Sequence, residues 1–125
     1  MISYKEMMAA ADVAVPRLKP EEAKAMIDAG NVLIVDVRDG TEVAQTGKLK
    51  GAVHVARGSL EGRVDPEAPT YNPAFKRDQP VILHCAGGGR AALAGKTLKD
   101  MGYTKVFNGG GFKELADAGI EVEKA

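Results

Sequence analysis

The sequence predicts an α/β domain of three layers, with helices on both faces of a largely parallel sheet of about five strands. Three observations lead there. Val32-Leu33-Ile34-Val35 and Val81-Ile82-Leu83 are apolar at every position, as strands covered on both faces are. Segments with helical spacing alternate with these runs along the chain. The second run leads through Cys85-Ala86-Gly87-Gly88-Gly89-Arg90 into another helical pattern, giving strand, loop and helix in succession.

At 125 residues the chain has the size of one domain and can bury a core without disulfides or metal. Seventeen basic residues balance seventeen acidic ones, so no whole-chain field points to nucleic acid or an acidic membrane. One cysteine cannot form an internal disulfide, which suits a reducing compartment and makes the cytoplasm the default. No stretch reaches the length of a membrane span. One Cys and two separated His residues are poor material for a structural zinc site.

Taken in order, Ser3 and Glu6 have capping-box spacing, and Met7, Met8 and Ala11 form the stripe of a short first helix. Val13 to Leu18 reads as an edge strand or extended lead-in, because Pro16 excludes a central position. Residues 1–16 are therefore set apart as a helical extension, and 17–125 as the domain. Pro20, Glu21 and Glu22 suit the start of a second helix, with Ala23, Met26 and Ile27 on its buried face and Gly30 as its stop. After the first buried strand, Thr41 to Thr46 forms a short helix ended by Gly47, and Gly51 to Ala56 a short strand.

Arg57 to Pro80 carries several glycines and prolines and reads as a surface loop that could cover a site. Helical turns are expected near Ser59–Arg63 and Pro73–Arg77. Beyond the glycine loop, Leu93, Ala94, Leu98 and Met101 mark a helix face closed by Gly102. Lys105 to Asn108 is a strand, Gly109-Gly110-Gly111 a tight turn, and Phe112 to Ala118 a last helix ended by Gly119.

The chemistry gathers at the glycine loop. Glycines let consecutive amides turn inward, and the following helix start offers unpaired N–H groups and a positive dipole end. Such an environment favours a thiolate over a thiol, as does Arg90 if it folds inward. The same amides would hold an anionic substrate and the charge that develops during transfer. A lone Cys beside a buried strand is more often a small core residue. Its co-location with loop glycines, Arg90 and a helix start reverses that judgement.

This segment resembles the active-site loop of the rhodanese family of sulfurtransferases, with Ala91 following it. The resemblance continues in Leu98-Lys99-Asp100-Met101-Gly102-Tyr103, in Val106 and in Gly109-Gly110-Gly111-Phe112. Upstream, Leu33-Ile34-Val35-Asp36-Val37-Arg38 is similar to the family's second strand and its Asp-Val-Arg signature. Gly47-Lys48-Leu49-Lys50-Gly51-Ala52 matches its Gly-His-Ile-Pro-Gly-Ala segment.

The resemblance implies a compact rhodanese-like domain in which Cys85 is the nucleophile and no metal or organic cofactor is required. It would take sulfane sulfur from a small donor such as thiosulfate and hold it as a persulfide, for removal by cyanide or by a thiol on a small molecule or a protein. Ala86, Gly87, Gly88 and Gly89 would form the amide cradle, and Arg90 would orient the loop or bind donor charge. A different class of function is a noncatalytic or partner-dependent binding or sulfur-carrier module. Cysteine phosphatases and arsenate reductases are the weaker alternative. Their loops carry one more residue before Arg, and only Asp65 or Asp78 could serve here as the acid.

Departures from the family pattern are Ala91 in place of a hydroxyl residue, Lys48 and Lys50 for His and Pro, and Leu115 for Trp. Arg57 is a secondary candidate for the substrate site, because it follows a short strand and could face Cys85. Asp36 and Arg38 are expected to pair near the site in a structural role. His54 reads as a packed or hydrogen-bonded residue. His84 should point to the opposite face from Cys85 and make a poor base for it. Tyr71 and Phe75 are expected to pack rather than to wall a pocket.

Overall fold

The computed structural model describes residues 1–125. Four strands form a wholly parallel sheet in the order β3-β1-β4-β5: β1 Leu33–Asp36, β3 Val53–His54, β4 Val81–Cys85 and β5 Val106–Gly111. Both apolar runs named above lie in its centre, and all five residues of β4 are buried. Beyond β5 the lead-in adds only an isolated one-residue parallel bridge, Arg17 to Asn108, so the sheet has four strands where about five were expected.

Helices cover both faces. On one side α1 Tyr4–Ala14, α4 Leu60–Val64 and α5 Gly89–Asp100 enclose a core containing Val35, Leu83, Cys85, Leu98 and Phe75. On the other, α2 Pro20–Ala29 and α6 Phe112–Asp117 cover Ile34 and Ile82 with Ala23 and Leu115. The short α3, Gly40–Thr46, stands beyond the carboxyl end of β1.

Local sequence explains several boundaries. The Ser3 hydroxyl accepts the Glu6 N–H while the Glu6 carboxylate accepts the Ser3 N–H, closing the capping box of α1. This helix runs through Val13 and Ala14, which the sequence places in an extended segment. It stops at Val15, one residue before Pro16. Its seat is Gly95 of α5, where a Cβ would lie 2.9 Å from both Val15 γ-carbons.

Two further expectations are corrected, and one element was not anticipated. Gly109, Gly110 and Gly111 do not turn but continue β5 through an irregularity in its register with β4. The strand runs so close to its neighbours that a Cβ on Gly109 would come 2.8 Å from Ile82 Cγ2, and one on Gly111 would overlap the Ala86 carbonyl oxygen. Pro73–Arg77 forms turns rather than a helical turn, whereas the expected helix near Ser59 is present as α4, preceded by a 3₁₀ turn over Arg57–Ser59. A two-stranded antiparallel ribbon, β2 Lys48–Leu49 with β6 Val122–Glu123, was not foreseen. Lys48 donates to the Ala52 carbonyl and pairs with Glu123 at 3.0 Å, which explains a lysine at that position.

No helix is long and apolar enough to cross a membrane. The irregular stretch before β4 is pinned by Tyr103, fully buried, whose hydroxyl donates to the Val64 carbonyl at 2.7 Å, and whose ring meets Phe75 edge-on. Burial first, then the nearby Tyr71, push the Tyr103 hydroxyl up to about 12. Tyr103→Phe strands the Val64 carbonyl and is expected to cost about 1–2 kcal/mol in urea unfolding.

Candidate active site

Cys85 is the last residue of β4 and is only 1% exposed. The chain then leaves the sheet through Ala86 and Gly87, both exposed, and enters α5 at Gly88. Gly88 takes φ +104°, in the left-handed region, and its N–H donates to Cys85 Sγ at 2.9 Å. A Cβ on Gly88 would overlap the Arg17 guanidinium, so glycine is required there on two counts. The first turn of α5 adds amides with no acceptor in the helix itself. Sulfur, turning loop and helix start therefore meet at the carboxyl end of a central strand, where parallel sheets place ligands.

The loop carbonyls are held from outside. Gly87 O accepts from Arg17 Nη2 at 3.2 Å, and Gly88 O from Asn108 Nδ2 at 3.0 Å. Asn108 is buried, and its Oδ1 also accepts the Gly110 N–H at 2.8 Å, which fixes the irregular part of β5. His84 Nδ1 lies 3.3 Å from the Cys85 carbonyl. Tyr4 of α1 brings its hydroxyl over Gly89.

Arg90 makes a two-pronged ion pair with Glu42 of α3, at 3.0 and 3.1 Å, and no hydrogen bond to the sulfur. That pair, first of all, raises the Arg90 pKa above its ordinary value, with a smaller contribution from Cys85. Arg57 is not at the loop: it donates to Thr97 Oγ1 at 3.0 Å and pairs with Glu61. Thr97 lies seven residues beyond Arg90, about 10 Å along α5. Arg57 instead helps line a groove of about 540 Å³ between α1 and α5, with Met7 and Leu93. Neither that groove nor any other surface cavity opens on the Cys85 loop.

Asp36 and Arg38 form a fully buried pair. Arg38 Nη2 donates to Asp36 Oδ2 at 2.7 Å and to the Gly47 carbonyl, Nε donates to Asp36 Oδ1 and Nη1 to Thr46, and the guanidinium lies 4.2 Å from the centre of the Phe112 ring. Burial alone would raise the Asp36 pKa, but the Arg38 hydrogen bonds and the His84 charge outweigh it and hold it below the ordinary carboxylate value. His84 is fully buried on this opposite face, against Phe112, with Nε2 unpartnered 3.7 Å from Asp36. Burial lowers its pKa despite Asp36.

His54 is exposed and hydrogen-bonded through Nε2 to the Arg38 carbonyl. Ala91 is buried in the core. The Tyr71 hydroxyl donates to the Phe75 carbonyl, and Phe75 is core. Asp65 caps the Glu67 N–H near the far end of α5, and Asp78 precedes β4, so neither acid is near Cys85. Sequence reasoning missed Glu42, Arg17 and Asn108 because each meets the loop across long chain separations.

Residues 19–118 match the family model described as the rhodanese-like domain. The chain belongs to the rhodanese-like domain family. A relative, the thiosulfate sulfurtransferase GlpE of Stutzerimonas stutzeri strain A1501, is 35% identical over 98 residues, covering 78% of this chain and 81% of its own. A protein of unknown function from Rhodopseudomonas palustris CGA009, described as a possible tyrosine phosphatase, superposes with a TM-score of 0.90 at 38% identity, over 98% of this chain and 96% of its own. The polysulfide-sulfur transferase homodimer of Wolinella succinogenes superposes with a TM-score of 0.73 at 29% identity, covering 96% and 86%. The rhodanese-like match begins after Arg17, so Tyr4 and Arg17 reach the loop from outside the matched residues.

Two stability predictions follow from the buried charges. Arg38→Met leaves the Asp36 carboxylate without its partner and is expected to cost about 3–5 kcal/mol in urea unfolding. His84 binds its proton less readily folded than unfolded, so the unfolded state takes up more protons as pH falls from about 6.5. The wild-type urea midpoint should fall below that pH, and His84→Gln should flatten the dependence.

Proposed function

We propose that the chain is a sulfurtransferase that carries sulfane sulfur as a persulfide on Cys85. The observation that supports this reading is the Gly88 N–H on Cys85 Sγ within a loop of four residues between Cys85 and Arg90. A hydrogen bond to the sulfur favours the nucleophilic thiolate. The thiolate attacks the outer sulfur of thiosulfate, the sulfur–sulfur bond of the donor breaks, and sulfite leaves with its electron pair. The loop amides stabilise the persulfide anion. Cyanide or an acceptor thiol then attacks the outer persulfide sulfur and returns Cys85 as the thiolate, a two-step covalent cycle.

Arg90 acts in this reading as a positioning residue, fixing the start of α5 through Glu42. The likeness to GlpE supports the donor class. Exposure of Ala86 and Gly87 supports an acceptor thiol carried on a protein as one acceptor class in this reading.

Phosphate ester hydrolysis is disfavoured by the short loop and by the Arg90 guanidinium, which Glu42 already occupies. The test is steady-state thiocyanate formation from thiosulfate and cyanide. Parallel double-reciprocal lines are expected, with loss of at least about a hundredfold in Cys85→Ser. Hydrolysis of a phosphotyrosine analogue without thiocyanate formation would overturn the reading.

A further inference from the structure

Arg17 lies before the residues that match the family, yet its guanidinium sits in a slot between two left-handed glycines of the site. A Cβ on Gly88 would overlap it, and one on Gly110 would come 3.0 Å from Nη2. Its one hydrogen bond goes to the Gly87 carbonyl. The Gly87–Gly88 peptide is trans, so its C=O and N–H point in opposite directions. The carbonyl faces Arg17 and the N–H faces Cys85 Sγ. The guanidinium is thus behind the cradle, joined to the sulfur through one peptide unit.

We infer that Arg17 is a positioning residue that activates Cys85 through the Gly87–Gly88 peptide. This rests on the reading of Cys85 as the sulfur-carrying nucleophile. A cation on the carbonyl polarises the peptide and strengthens the hydrogen bond its N–H donates. It also resists the peptide flip that would turn a carbonyl oxygen toward the thiolate. No bond to Arg17 forms or breaks, and no proton leaves it.

No other charged side chain hydrogen-bonds to the Gly87–Gly88 peptide. Arg90 is paired with Glu42, with Asp39 also nearby, and it acts on Cys85 through space rather than through the cradle peptide; Tyr4 of α1 brings only a hydroxyl. Asp36 and Arg38 cancel each other on the far face, beside a buried His84. Glu114 of α6 stands 3.6 Å from Arg17 and is 55% exposed, so it offsets only part of the Arg17 charge.

The rate of iodoacetamide alkylation, followed by intact mass, reports the thiolate directly because Cys85 is the only cysteine. Full-length wild type, Arg17→Met and Arg17→Lys are compared between about pH 5 and pH 9. Arg17→Met keeps the stem without donors and should move the half-maximal pH upward by about half a unit to one unit, a three- to tenfold loss of rate on the acid side. Arg17→Lys should restore most of it, with urea midpoints of all three alike. An Arg17→Met profile that superimposes on wild type, or Arg17→Lys moving as far as Arg17→Met, overturns the proposal. If wild type takes no sulfur from thiosulfate while Arg17→Met still shifts, the sulfurtransfer reading fails and the role of Arg17 stands. If sulfur loads and the profile does not shift, the reverse holds.

Discussion

A trans peptide cannot turn its N–H inward unless its carbonyl turns outward, and an outward carbonyl needs a donor to meet it. The Cys85 loop meets that condition with groups from distant parts of the chain. Arg17 takes Gly87 O and Asn108 takes Gly88 O. The Gly88 N–H is then left facing the sulfur. Glycine permits this shape, since Gly88 is left-handed and Gly111 passes against the Ala86 carbonyl. The shape is held by partners on β5 and on the lead-in strand.

The surrounding charges divide into two groups. Below the loop, Asp36 and Arg38 are fully buried and saturated with hydrogen bonds, and they brace the carboxyl end of β1 against α3 and α6. Above it, Arg90 and Glu42 are about one-third exposed and join the start of α5 to α3. Removing either partner of the lower pair strands a buried charge, whereas the upper pair is screened by solvent. The lower pair therefore belongs to stability and the upper one to the position of the helix start.

The layered architecture was legible because its signals are local. Unbroken apolar runs marked β1 and β4, a capping box marked α1, and Pro20 with two glutamates marked α2. The segments that misled are those whose conformation is decided from afar. Three consecutive glycines suggest a turn, yet here they let β5 pass close to Ile82 and Ala86. Lys48 and Leu49 have no strand signal of their own and pair only because Val122 and Glu123 lie beside them. At the site, Cys85 and its glycines could be read from contiguous residues. Glu42 and Arg17 could not, being separated from their loop partners by 48 and 70 residues. Arg57 misled because its place after a short strand left open where its long side chain would go, and Thr97 captures it.

A sulfur atom held on Cys85 would show in the intact mass of the reduced chain after thiosulfate, and again after cyanide. A gain of one sulfur atom is expected, absent in Cys85→Ser and discharged by cyanide. A chain that stays at its reduced mass with thiosulfate, polysulfide and organic persulfide donors alike would contradict that expectation.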